Sequence, residues 1–272
     1  MIRANGLEFG LLEAGAGPLA LCLHGFPDSA HTWGRLLPAL AGAGFHAVAP
    51  FMRGYAPTAL AADGAYDVAA LAADAVALHQ ALGGDGDAVL IGHDWGAEAA
   101  YAAAAGEPGR WRRLVTLGVP PAGLDPVLFG DYEQLRRFFY LFLFRDPYGL
   151  AETVVAADGM SFLDRLWAQW SPGLVPGEHL DRVKESLRQP ANLAAAIAYY
   201  RAPAAPDAGV APQPTLYLHG ADDGCIAARL ARRAGPYLAP PSRVVIVEGA
   251  GHFLHLEKPD EVGRLILTWI TG

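Results

Sequence analysis

Residues 90–100 read LIGHDWGAEAA. An apolar run, AVLIGHD at 88–94, gives way within two residues to an alanine-rich helical stretch. That pattern is a strand feeding a helix. So sharp a corner crowds the backbone, and Gly92 and Gly96 supply the small flanks it needs. The apical residue, Asp94, is pushed out of the sheet toward a helix N-terminus, where free N–H groups and the helix dipole favour negative charge. A carboxylate here is kept ionised and open to a ligand. Taken alone, the pattern is more often an aspartate capping a helix. Its company decides.

Working outward, short apolar runs recur at 19–25, 46–52, 113–120, 215–223 and 243–252, with helical segments at about 31–42, 67–83, 95–105 and 258–270. Asp67 is placed to cap the second of these helices. Near-continuous apolar strands without polar alternation imply a parallel sheet covered on both faces. Their alternation with helices implies right-handed crossovers and a doubly wound α/β fold. The alternation stops after Pro120 and Pro121. Residues 130–201 are helical and aromatic, and a proline-rich stretch at 202–214 leads back to a strand. The expected organisation is a core of 1–120 and 213–272, with a helical cap at 121–212 inserted after the sixth strand. Such a cap lies over the carboxyl ends of the strands, where α/β ligands bind.

The chain has 272 residues, 53% hydrophobic and 18% charged, enough for a sizeable core. The net charge of −8, with no Lys/Arg block, argues against nucleic acid as a partner. Cys22 and Cys225 have no metal-ligand spacing around them and read as free thiols of a reducing compartment. The start MIRANGLEFG lacks the pattern of a signal peptide, and no apolar stretch is long enough to cross a bilayer. The expectation is a soluble, cytoplasmic protein, monomer or homodimer, needing no metal and no organic cofactor.

Two further strand ends carry chemistry. LHGADDG at 218–224 offers Asp222 and Asp223, and EGAGHFLHLEKP at 248–259 places His252 in a glycine-rich loop. Imidazole titrates near neutrality and serves as a general base; an acid on its other ring N–H fixes the tautomer. Asp223 is the preferred acid and Asp222 the alternative. The chain order of apical residue, acid and histidine is that of enzymes whose corner is G-x-S-x-G. LHGFPDSAHTW at 23–33 brings backbone N–H groups to the same apex, so Phe26 and Trp95 are the expected oxyanion donors. His24 reads as a structural residue of that turn.

With these residues in hand, the sequence resembles the α/β-hydrolase superfamily over nearly its whole length, and more narrowly the epoxide hydrolase and haloalkane dehalogenase branch. HGFPDSAHTW, MRGYAPT, GHDWGA and GAGHFLHLEKPDEV carry the resemblance. MRGYAPT departs from the usual R-G-Y-G-x-S by an alanine and a threonine. The resemblance implies Asp94 as nucleophile. A serine attacking saturated carbon would leave an ether, whereas an aspartate leaves an ester that His252-activated water can clear. It also implies two tyrosine acids in the cap, matched by Tyr140 and Tyr200. The expected substrate is a small apolar epoxide, opened with water to a vicinal diol. Phe26, Trp95, Phe139 and Trp167 are candidate lining residues, though cap aromatics equally suit plain packing. A haloalkane or haloacid dehalogenase using the same aspartate is the alternative, with Trp167 or Trp170 assisting Trp95. A non-catalytic ligand-binding relative is a third reading.

Overall fold

The computed structural model describes residues 1–203 and 209–272. The proline-rich connector expected at 202–214 therefore lies partly outside the described residues. Nine strands are formed among those described: β1 Ile2–Ala4, β2 Leu7–Phe9, β3 Leu11–Ala14, β4 Leu19–Leu23, β5 His46–Pro50, β6 Val89–His93, β7 Arg113–Leu117, β8 Thr215–Gly220 and β9 Arg243–Val247. β1 and β2 make a small antiparallel hairpin. The other seven form one sheet in the order β3-β5-β4-β6-β7-β8-β9. Only the edge strand β3 runs antiparallel, against β5.

Every residue of β4 and β6 is buried, as continuous apolar strands sandwiched between two helical layers must be. The flanking helices include Leu36–Gly42, Val68–Ala81, Trp95–Gly106 and Pro259–Thr271. Asp67 caps Val68–Ala81 as expected, its carboxylate accepting the Ala70 N–H at 2.8 Å.

Between β7 and β8 the described chain is helical, from Ala122–Leu124 to Pro190–Arg201. The longest piece, Leu150–Trp170, is broken at Ala157–Met160, where the backbone leaves helical angles. The insertion, expected after a sixth strand, follows β7, the seventh strand of the chain and the fifth of the large sheet. The N-terminal strands are three or four residues long and mix polar with apolar side chains, so they present no apolar run.

The insertion grips the loops that leave the carboxyl ends of the strands. Trp167 Nε1 donates to Pro27 O after β4, and Tyr199 OH to Arg53 O after β5. The Trp170 carbonyl accepts the N–H groups of Gly224, after β8, and of His252, after β9. These four loops surround Asp94.

Candidate active site

Asp94 follows β6 directly and has φ +52°, ψ −120°. A residue with a Cβ is forced into positive φ only where its surroundings over-determine it. Here the turn is squeezed from both sides: a Cβ on Gly92 would lie 2.1 Å from Gly96 O, and one on Gly96 would lie 2.2 Å from Leu23 O. The small flanks at 92 and 96 are thus demanded by close approach of backbone to backbone.

The two carboxylate oxygens of Asp94 have different surroundings. Oδ1 accepts the Phe26 N–H at 2.7 Å. Oδ2 faces His252 Nε2 at 3.6 Å, an ion-pair distance too long for a hydrogen bond. Burial works against the charge of Asp94, but His252, His93 and the Phe26 N–H outweigh it and hold the carboxyl below its ordinary range. His252 Nδ1 lies 3.0 Å from Asp223 Oδ2. Asp223 Oδ1 accepts two further N–H groups, from Cys225 at 2.7 Å and Ile226 at 2.9 Å. An acid so anchored holds the imidazole in one tautomer with Nε2 toward Asp94. Burial lowers the basicity of His252, yet the charges of Asp223 and Asp94 prevail and lift its pKa to about 10.

The geometry brings together Asp94, His252, Asp223 and Phe26. Asp222 is not part of the group: its N–H is bonded to Ala250 O. Among the described residues only the Phe26 N–H is bonded to the Asp94 carboxylate; the backbone N of Trp95, expected as a second donor, borders the same point beside Gly25 as Asp94 Oδ1, and the Trp95 ring lies 5.1 Å from that of Tyr200. His24 has the structural role expected of it, bonding Gly25 O and the Met52 N–H through its two ring nitrogens.

Tyr140 and Tyr200 are buried with their rings edge-to-face at 5.8 Å. The Tyr140 hydroxyl touches Cys225 Sγ at 3.4 Å, and the Tyr200 hydroxyl, beside the Trp95 side chain, makes no hydrogen bond of good geometry among the described residues. Burial and the Asp94 charge raise both phenols well above their ordinary pKa, so both carry their protons at neutral pH. Phe26 and Phe144 pack against Tyr200 at 5.4 and 5.0 Å.

Two candidate lining residues fall elsewhere. Phe139 is 42% exposed at the surface. Trp167 stacks on Phe253 at 4.0 Å and commits its N–H to Pro27 O at 2.9 Å. It is a strut under the Phe26 turn, and that N–H is not free for a halide. Trp170 takes the lining position instead, its ring 5.0 Å from both His252 and Tyr140. Helical periodicity marks 167 and 170 alike as inward, so periodicity does not separate them.

The rings of Trp170, Tyr140, Tyr200 and Phe26 cluster around the His252 and Asp94 side chains. Two cavities of about 10 Å³ each, room for a single water, lie beside Trp33 and His255 and beside Arg53 and Asp74; neither borders Asp94. Two buried trios could offer three metal ligands within 4.8 Å of one another: Asp28, His93 and His255, and Asp223, Cys225 and His252. In the second, Asp223 and His252 already bond each other.

The family model described as the alpha/beta hydrolase fold matches residues 18–259. Over its full length the chain is 30% identical to epoxide hydrolase A of Mycobacterium tuberculosis, covering 97% of that protein. It is 27% identical to the AB hydrolase superfamily protein YfhM of Bacillus subtilis, with 99% and 96% of the two chains covered. Among solved structures, epoxide hydrolase A from Mycobacterium thermoresistibile gives a TM-score of 0.83 at 27% identity, covering 100% of this chain and 97% of that one. Potato (Solanum tuberosum) epoxide hydrolase I gives 0.85 at 27%, covering 100% and 98%. The chain belongs to the α/β-hydrolase family, in its epoxide hydrolase branch.

Proposed function

We propose that this chain is an epoxide hydrolase that opens an oxirane to a vicinal diol through an alkyl ester on Asp94, with the inserted helices as its cap. The observation that carries the reading is one arrangement. A buried carboxylate has one oxygen on a backbone N–H and the other facing a histidine, close to two phenols kept protonated.

In the first half-reaction Asp94 Oδ2 attacks an oxirane carbon, the C–O bond breaks, and Tyr140 or Tyr200 gives its proton to the leaving oxygen. In the second, His252 Nε2 takes a proton from water as that water attacks the Asp94 carbonyl carbon. Negative charge gathers on Oδ1, where the Phe26 N–H already points. Asp223 steadies the imidazolium, which protonates the departing diol oxygen, and the carboxyl proton left on Asp94 returns to the phenolate. No step is routed through a metal or organic cofactor. The aromatic character of the cap residues around the site favours small apolar epoxides.

A single turnover in ¹⁸O-water tests the route. Label is expected in Asp94 and not in the first diol released. Label in that first diol would reject the covalent ester.

A further inference from the structure

Gln134 belongs to the cap yet bonds to the loop of the triad acid. It is fully buried, at the third position of the helix Tyr132–Arg137. Asp131 caps that helix by accepting the Gln134 N–H at 2.9 Å. A glutamine three residues after such a cap ordinarily reaches back to the cap's own N–H. Here the Asp131 N–H is already given to Leu128 O. The Gln134 amide crosses instead to the loop after β8. Nε2 donates to Cys225 O at 2.8 Å, and Oε1 accepts the Ala227 N–H at 2.9 Å.

The first attachment point, Cys225 O, belongs to the same peptide as the Ile226 N–H that holds the triad acid, and the second lies on the next peptide. Asp223 Oδ1 rests on the N–H groups of Cys225 and Ile226. Arg137 adds a third bond, Nη1 to Asp223 O at 2.5 Å. The neighbouring glycines fit the same docking. A Cβ on Gly224 would stand 1.8 Å from Gln169 O, and one on Gly251 would stand 2.6 Å from Trp170 O. The cap backbone at 169–171 is wedged between the acid loop and the histidine loop.

We propose that Gln134 is a positioning residue which, by fastening the loop 223–227 to the cap, sets the orientation of Asp223 and through it of His252. It governs hydrolysis of the alkyl-enzyme rather than its formation. Formation relies on Asp94, held by the Phe26 N–H, and on two phenols: Tyr140 touches that loop through Cys225 Sγ, whereas Tyr200 is packed by Phe26, Phe144 and Trp95 and can donate independently of it. Hydrolysis needs His252 Nε2 aimed at a water, and a misplacement of about 1 Å costs about 10²-fold in rate. The inference rests on the reading under Proposed function.

The test uses styrene oxide with the full chain, following the covalent adduct by intact-protein mass in rapid quench. In Q134M, which keeps the volume and loses both hydrogen bonds, adduct formation is expected to stay within about twofold while hydrolysis slows about 10²-fold, so that adduct accumulates. In Q134E the introduced carboxyl can accept from Ala227 and donate to Cys225 only when protonated. Its hydrolysis rate relative to the wild type should therefore climb as pH falls. That signature separates positioning from a general packing defect and carries the test alone if Q134M does not fold. Equal hydrolysis rates in wild type and a folded Q134M, or a pH-independent Q134E ratio, overturn the role of Gln134 and leave the ester route standing. A wild type that makes diol with no adduct overturns the ester route, and the role of Gln134 with it.

Discussion

His252 Nε2 stands 3.6 Å from Asp94 Oδ2 and has no hydrogen-bond partner among the described residues. One buried imidazole thus lies between two buried carboxylates, whose charges favour its protonated form. Burial alone would strip that proton; Asp223 and Asp94 together lift the pKa to about 10. Such a histidine is no base. Forming the ester removes the charge of Asp94 and with it part of what held the proton, which passes to solvent water before hydrolysis and is regained once Asp94 is free again. The nucleophile's own reaction switches the base on.

The two half-reactions should therefore differ in pH dependence. Hydrolysis requires neutral His252, so its rate rises with pH through the histidine pKa of the alkylated enzyme and levels off below pH 10. Formation requires only ionised Asp94, whose carboxyl is held below its usual range, so it persists into acid. Stopped-flow tryptophan fluorescence resolves the two phases. A hydrolysis pKa at or above 10 would contradict the switch.

His252→Gln should form the ester and fail to clear it. Loss of a general base costs roughly 10²–10⁴-fold. The protein mass after mixing should equal enzyme plus substrate, with the adduct mapped to the peptide holding Asp94. Adduct on any other peptide would displace Asp94 as the nucleophile.

Tyr140→Phe with Tyr200→Phe should slow ester formation by roughly 10²–10⁴-fold without unfolding the protein. Among the described residues the Tyr200 hydroxyl, beside the Trp95 side chain, makes no hydrogen bond of good geometry and that of Tyr140 touches a sulfur, so neither deletion orphans a strong hydrogen-bonding group. Full activity in the double variant would remove both phenols from the mechanism.

Trp167→Phe should keep the stacking on Phe253 and strand the Pro27 carbonyl in the interior. An unsatisfied buried acceptor costs about 1–3 kcal/mol. Urea denaturation should register that loss, accompanied by slower hydrolysis as the Phe26 turn loosens. Unchanged stability would mean that the indole N–H bond does not support this turn.

Asp74→Ala removes the partner of a buried charge. Arg53 Nε and Nη2 reach the two Asp74 oxygens at 2.6 and 2.5 Å, and Asn5 adds a third bond at 2.8 Å. Breaking such a pair costs about 3–5 kcal/mol, because the other charge stays buried. Thermal and urea unfolding measure it, and a loss under ~1 kcal/mol would refute the pairing as a structural element.

Much of this architecture is written in local pattern. The strands β4 to β9 show as apolar runs because a sheet covered on both faces has no polar side. The corner at Asp94 shows as two glycines because backbone meets backbone there. The threonine of MRGYAPT does the work of a serine hydroxyl, with one near partner and one distant: Thr58 Oγ1 donates to Phe51 O and accepts the N–H of Gly10, 48 residues away. The short strands β1 to β3 escape notice because three or four mixed residues carry no period.

The amino-acid sequence by itself determined the α/β framework, the carboxylate at the strand-to-helix corner and the chain order of Asp94, Asp223 and His252. Each follows from a signal confined to a few neighbouring residues. Only the tertiary structure decided which cap side chains meet the core: Gln134 on the loop of Asp223, Trp167 on Pro27, and Trp170 rather than Phe139 beside His252. These partners lie about ninety to 140 residues apart along most of these contacts. They meet through the packing of whole elements, and spacing along the chain carries no trace of it.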